Sequence, residues 1–268
     1  MLANKIKISD LDSVELLQKG SPKHEYPDHY HETFCVTLIK SGTLTESGCI
    51  LPTGAIVTAH PFEVHNNELI KDIEHAFTTF YFSPDLFSYV NNREECSFEN
   101  KVIYDESLFN SFDRLATNLL TGDEKLLDKR SFLSDLQENL TSLIHIHSVT
   151  KPRHDYSKPE LIEEVKNLIL ANLESKISIE NLGQRFGMGK YKFIRWFKKH
   201  VGLTPYDFII LNRVLLGQKM IREGKPLTET AVDTGFYDQS HFSNYFKRFI
   251  GLTPKSYQKS CNIFQYSQ

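Results

Sequence analysis

The stretch F-K-K-H-V-G-L-T-P, Phe197 to Pro205, returns in altered form as F-K-R-F-I-G-L-T-P, Phe246 to Pro254. Phe197, Lys198, Gly202, Leu203, Thr204 and Pro205 each recur 49 residues later. Upstream, Gly187 recurs as Gly235 after only 48 residues, so the second copy has one extra residue in the turn between its two short helices. Two copies are too few to stack as a solenoid. They suit a module that grips something twice.

Each copy reads as helix, tight glycine turn, helix, the helix-turn-helix pattern. In the first, Ser178 is the expected N-cap, Ile179, Leu182 and Phe186 point inward, and Gly187 closes the helix in a left-handed conformation. A second helix is predicted from Lys190 to about His200, with Gly202 just past its end. In the second copy Thr228 is the expected cap, Ala231 packs, Gly235 turns, and a helix from about Gln239 to Phe249 stops at Gly251. On a 100° wheel Phe193, Trp196, Phe197 and His200 share one face of the first recognition helix. Tyr191, Arg195 and Lys198 lie opposite, flanked by Lys192 and Lys199. In the second, Phe242, Tyr245, Phe246 and Phe249 turn inward, and Ser240, Asn244 and Lys247 turn outward, flanked by His241 and Arg248. Arg can fork to guanine and Asn to adenine, whereas Lys198, Lys199, Lys247 and Arg248 suit phosphates. The aromatic stripe is expected to be core, not a platform for stacked bases. Tyr206 to Arg222 reads as one helix of roughly 25 Å at ~1.5 Å per residue. A rod of that length could hold two recognition helices in successive major-groove segments, which repeat about every 34 Å.

Charge follows the same division. The net charge of −3 hides 17 Lys and Arg against 10 Asp and Glu from Lys158 onward, and 14 against 24 before it. Only the C-terminal half is thus expected to meet a polyanion. No basic-plus-apolar leader and no long apolar run occurs, which speaks against a membrane span and for the cytoplasm. The four cysteines, Cys35, Cys49, Cys96 and Cys261, are scattered and read as free thiols.

From Tyr26 to Phe82 the texture is β. Phe34, Val36 and Leu38 alternate with Cys35, Thr37 and Ile39, and turn signals follow at Ser41-Gly42, Ser47-Gly48, Pro52-Thr53-Gly54, His60-Pro61 and Asn66-Asn67. Ala76 to Phe82 is a further strand, and the set reads as a small β-barrel or jelly roll. Residues 1–26 offer little pattern. After Ser83-Pro84 the texture turns helical, with Leu108, Phe112, Leu115 and Leu119 on one face. Leu133, Leu136, Leu140 and Leu143 mark a second helix from roughly Asp128 to His147, suited either to packing on the barrel or to pairing with a twin. Residues 149–158 are polar, contain Pro152 and read as a linker. Leu161, Ile162, Val165, Leu168 and Ile169 form the next helical face. The expected fold is α+β in two domains, with boundaries at 1–148, 149–158 and 159–268.

At Leu161 to Tyr257 the chain resembles the AraC/XylS family of bacterial transcription regulators, most closely over Ala231 to Pro254. The resemblance implies about seven C-terminal helices with two helix-turn-helix units joined by a long helix. It implies a sequence-specific regulator, an activator, whose partners are double-stranded promoter DNA, RNA polymerase and a homodimer mate. Carried over by motif position, Tyr191 and Arg195, with Lys190 and Lys192 beside them, and Gln239, Ser240, His241 and Asn244 would face bases. The sequence departs from the family at Gly183, Gly189 and Gly217, where Ala, a Ser or Thr cap, and Ala are usual. Gly183 inside a helix is expected to loosen the first unit, at about 1 kcal/mol relative to Ala.

The N-terminal half resembles the family's cupin-like effector domain through His29 to Glu32, Pro52 to Gly54 and His60 to His65. His29, His31, Phe34, His65 and Tyr81 are the expected effector-binding residues at the barrel mouth. His29-x-His31 followed by Gly42 is similar to the first metal motif of enzymatic cupins. However, the carboxylate position falls at Cys35 and the second motif's His position at Val57. The expectation is therefore no metal, no cofactor and no enzyme, with a metal-dependent cupin enzyme bearing a DNA-binding tail as the alternative.

Overall fold

The computed structural model describes residues 5–7, 14–20, 25–69, 75–91, 97–98, 100–121, 129–149 and 160–262. The chain divides into two units, Met1–Glu25, Tyr30–His154 and Ser260–Gln268 in the first and Tyr26–His29 and Asp155–Lys259 in the second. Most of the expected linker, including Pro152, lies outside the described residues.

The predicted strand Phe34–Ser41 (β4) sits at the centre of the larger sheet. It pairs with β7 (Ile56–Ala59) on one side and β9 (Ala76–Phe82) on the other. The antiparallel order is β1 (Lys5–Lys7), β2 (Val14–Gly20), β9, β4, β7, β11 (Val102–Ile103). A second sheet runs β3 (Tyr26–His29), β8 (His65–Leu69), β5 (Thr43–Glu46), β6 (Cys49–Pro52), and β10 (Ser97–Phe98) pairs with β12 (Ser148–Val149). Val149, expected in the linker, is thus part of a strand pair. β2 went unpredicted because V-E-L-L-Q-K-G does not alternate. It is nevertheless paired along its whole length with β9, from Val14 opposite Phe82 to Gly20 opposite Ala76.

The pleat sends alternate side chains to opposite faces. Val36 opposes Thr58 and Phe80, and Leu38 opposes Ile56 and Thr78, so these share one face. There α1 (Pro84–Val90), α2 (Glu106–Thr121) and α3 (Lys129–His147) add Phe87, Leu108, Phe112, Leu115, Leu136, Leu140 and Leu143 to one core. Full burial of each such side chain stabilises by about 1.5–3 kcal/mol. The described part of the α3 leucine stripe is thereby committed to its own sheet and is not a face for a twin. The short α1 was missed, although Ser83 accepts from the Leu86 N–H and Pro84 sits in the first turn, as a helix start requires.

The second unit carries seven helices among the described residues: α4 (Glu160–Leu170), α5 (Ile179–Arg185), α6 (Lys190–Val201), α7 (Pro205–Arg222), α8 (Leu227–Asp233), α9 (Gln239–Ile250) and α10 (Pro254–Asn262). Ser178 caps α5 as expected. At α8 the cap is Pro226, not Thr228, which lies inside the first turn; the proline supplies the extended entry by its fixed φ and offers no side-chain acceptor. α7 is buried on several sides through Phe208, Ile209, Ile210, Leu211, Val214 and Ile221.

Two glycines earn their place by contact. A Cβ on Gly183 would lie 2.8 Å from the Met188 carbonyl oxygen and 3.1 Å from Phe193 Cβ, so the missing side chain lets α5 approach the turn into α6. On Gly217 it would lie 2.6 Å from Phe242 Cε2. Phe242 is fully buried, so Gly217→Ala should destabilise by about 1–3 kcal/mol of overpacking, above the helix-propensity gain of about 1 kcal/mol. Gly189 is different: its φ of −69° is ordinary and the space around it is open. Gly189→Ser should therefore stabilise by a few tenths to about 1 kcal/mol by supplying the missing cap. Urea denaturation of both variants checks the opposite signs.

Candidate nucleic-acid interface and histidine pair

α6 and α9 are positioned by the same device. Both begin from an extended cap residue, Gly189 or Asp238, and both end on a glycine in the left-handed region, Gly202 at φ 88° or Gly251 at φ 80°. The closing glycine N–H donates to the carbonyl of Lys198 at 2.9 Å in one and of Lys247 at 2.8 Å in the other. Only α9 has a side-chain cap, where Asp238 Oδ1 accepts from the His241 N–H at 2.7 Å.

The aromatic stripes are core. Phe193, Phe197, Phe242 and Phe246 are fully buried, and Phe197 packs edge-on against Phe208 of the rod at 5.5 Å. With those faces buried, the opposite ridges are left to solvent. Lys190, Tyr191, Lys192, Arg195, Lys198 and Lys199 are exposed on α6, and Gln239, Ser240, Asn244, Lys247 and Arg248 on α9. Arg195 and Asn244 occupy equivalent positions of the repeat, as do Lys198 and Lys247. Cations in the last turn of each helix also oppose its dipole, so their place is electrostatically favourable.

His241 stands apart from this ridge. Its ring is half-buried, edge-on to Phe236 at 5.3 Å and to Tyr245 at 5.1 Å. It is held by packing in a way its neighbours are not. Conversely, Tyr237, next to the cap of α9, is 93% exposed and was not singled out; it follows the buried Phe236 in the turn, where helical periodicity gives no direction.

In the first unit, His31 and His65 come together with ring centroids 5.3 Å apart, and His31 meets Tyr81 edge-on at 4.9 Å. Tyr81 shares its sheet face with Cys35, Thr37 and Thr79, opposite to the helix-covered core. Phe34 does not join them. It lies on the core face, stacked on Phe87 at 4.1 Å, because its position in β4 alternates with that of Cys35. His29 is buried, and its Nδ1 donates to the Pro27 carbonyl at 2.7 Å. His65 Nδ1 donates to the Glu63 carbonyl at 2.8 Å. Ring nitrogens of His31 and His65 lie within 4.8 Å of each other, and the Nδ1 bond leaves Nε2 as the lone-pair nitrogen of His65. Such a pair can take hydrogen bonds from a ligand.

His60 has a separate task. Its Nδ1 faces Glu63 Oε2 at 3.2 Å and its Nε2 accepts from the Phe98 N–H at 3.1 Å. Lys101 reaches Glu46 at 2.6 Å and Glu63 at 3.3 Å. Burial pushes the Lys101 ammonium down, but the Glu46 and Glu63 carboxylates outweigh it and hold it above its ordinary value. These groups neutralise one another, so the H-P-F-E-V-H motif is structural at His60 and Glu63.

Comparison with known proteins agrees with this geometry. Residues 182–260 match the family described as "Helix-turn-helix domain". LumQ of Photobacterium leiognathi, named a probable transcriptional regulator, is 35% identical over 95 residues, 35% of this chain and 38% of LumQ. YbfI of Bacillus subtilis, named an uncharacterized HTH-type transcriptional regulator, is 26% identical over 229 residues, 81% of each chain. The chain thus spans about two fifths of LumQ and four fifths of YbfI. ToxT from Vibrio cholerae O395 has the same two-domain fold, with a TM-score of 0.57 over 93% of this chain and 98% of ToxT at 13% identity. ToxT has also been solved with an unsaturated fatty acid bound, a structure that matches with a TM-score of 0.52 at 12% identity over 91% of this chain and 94% of that one.

Two outcomes follow from the charges. Lys198→Ala should weaken binding to all duplexes alike and lower the slope of log affinity against log salt by about one; titrations at several salt concentrations read both. Burial pulls the His65 imidazole below its ordinary value, opposed by its bond to the Glu63 carbonyl. The unfolded chain then binds more protons than the folded one as pH falls through about 6.5, so stability drops there. His65→Gln should flatten that part of the denaturation-versus-pH curve.

Proposed function

We propose, from the AraC-type helix-turn-helix domain that occupies its C-terminal part, that this chain is a sequence-specific DNA-binding transcription regulator. The observation that carries the reading is the equivalence of Arg195 and Asn244, both exposed on helices that are closed by the same glycine bond and bury the same aromatic stripe. Arg195 and Asn244, with Lys190, Tyr191, Lys192, Gln239 and Ser240, read bases. Lys198, Lys199, Lys247 and Arg248 hold phosphates. His241 contributes from the edge of the ridge.

The first unit is the sensing part. His31, His65 and Tyr81 form the group that meets a small molecule, and Phe34 supports the wall behind them. The fatty acid seen in ToxT supports the idea that a fold of this kind takes an effector. The signal acts through differential affinity for DNA-competent and DNA-incompetent states, and the output is activation through RNA polymerase by a cytoplasmic protein that pairs with a second copy. The named relatives are transcription regulators, which supports binding and not catalysis. Among the described residues no helix is long and apolar enough to cross a membrane.

Duplexes selected from a random library by the full chain supply the probe. Arg195→Ala and Asn244→Ala should each cost about 1–3 kcal/mol on the selected duplex and little on random DNA. Discrimination left intact in both variants sinks the assignment.

A further inference from the structure

The rod α7 does more than space the two helix-turn-helix units. Arg213, midway along it and half-buried, donates from Nε to the Leu173 carbonyl at 2.9 Å and from Nη2 to the Ser175 carbonyl at 2.7 Å. Both carbonyls belong to the chain just after α4, which leads into the first helix-turn-helix unit. Gly235, the turn residue of the second unit, packs on the same spot. Its φ is 80°, and a Cβ there would overlap the Leu173 oxygen and lie 2.9 Å from Arg213 Nη2. Three parts of the domain therefore converge on one peptide carbonyl: the exit of α4, the rod, and the turn that aims α9.

A guanidinium suits this junction because its donors have a fixed fork geometry and can engage two carbonyls at once, where a lysine offers a compact point charge on a flexible stem. Gly235 leaves room for the fork by having no side chain. α9 is aimed from this turn, so its offset from the first unit is set here.

We infer that Arg213 is a positioning residue that fixes the spacing between the two DNA elements the protein reads. This inference rests on the DNA-binding reading above. Arg213 touches no DNA in this role; it acts through Leu173, Ser175 and the Gly235 turn. A rigid offset makes the second recognition event intramolecular and confines it to one spacing. A loosened one keeps each contact and loses the register.

The test uses the full chain and duplexes selected from a random library by the unmutated protein. Derived duplexes carry one element only, both elements, or both with one base pair inserted, which moves one element by about 3.4 Å. Arg213→Ala should lose roughly tenfold or more on the two-element duplex, hold its affinity for the single-element duplex, and show a smaller penalty for the insertion than the unmutated protein. Arg213→Lys should fall between, and Gly235→Ala should act like Arg213→Ala. Equal losses on one-element and two-element duplexes, or an unchanged insertion penalty, overturn the inference. Should Arg213→Ala not fold, the insertion penalty of Arg213→Lys decides in the same way. An unmutated protein that selects no preferred duplex sinks the DNA-binding reading, a result distinct from an unaltered spacing profile in the variants.

Discussion

The interaction on which the DNA-binding unit depends is the burial of one aromatic face on each recognition helix. Phe193 and Phe197 in α6, and Phe242 and Phe246 in α9, are spaced four apart and lose all solvent contact. Each ring of this kind is worth a few kcal/mol of apolar burial, more than any exposed charge on the same helix can contribute. Rotation of either helix about its axis is therefore fixed by its inner face. The outer ridge is a consequence, and its side chains are free to be chosen for what they meet.

That order of strengths explains what could be read in advance. The 3-4 spacing of aromatics gave the direction of Arg195 and Asn244, because a buried Phe leaves its helical opposite no choice. The glycine turns and the span of α7 were legible for the same local reason. Contacts between residues far apart in the chain were not. Gly183 looked like a loosening of α5 and is in fact the close approach of α5 to Met188 and Phe193. Thr228 had the chemistry of a cap, but the backbone of Pro226 sets the start of α8 two residues earlier. His241 lies near the outward face on a wheel, yet Phe236 and Tyr245 draw its ring inward.

In the first unit the alternation of β4 decided more than was asked of it. It separates Phe34 from Cys35, and with that separates the helix-covered core from the face that carries Tyr81. A period of two assigns residues to faces but does not say which face a helix will cover, so Phe34 and Tyr81 could not be told apart beforehand. The pairing of β2 with β9 was hidden for a complementary reason. A strand of sequence V-E-L-L-Q-K-G shows no alternation of its own.

The two copies differ in what they bring to a polyanion. α6 opens on a glycine that has no acceptor and carries Lys190, Lys192, Arg195, Lys198 and Lys199 with no acid. α9 opens on Asp238, which caps the helix and places a negative charge at its start, and its exposed N-terminal side chains, Gln239 and Ser240, are neutral. A helix of the first kind gains affinity from phosphates at long range and at any sequence. A helix of the second kind keeps its cations, Lys247 and Arg248, to its last turn and offers neutral hydrogen-bonding groups at its start. The repeat thus holds one frame twice while its halves differ in the charge they present.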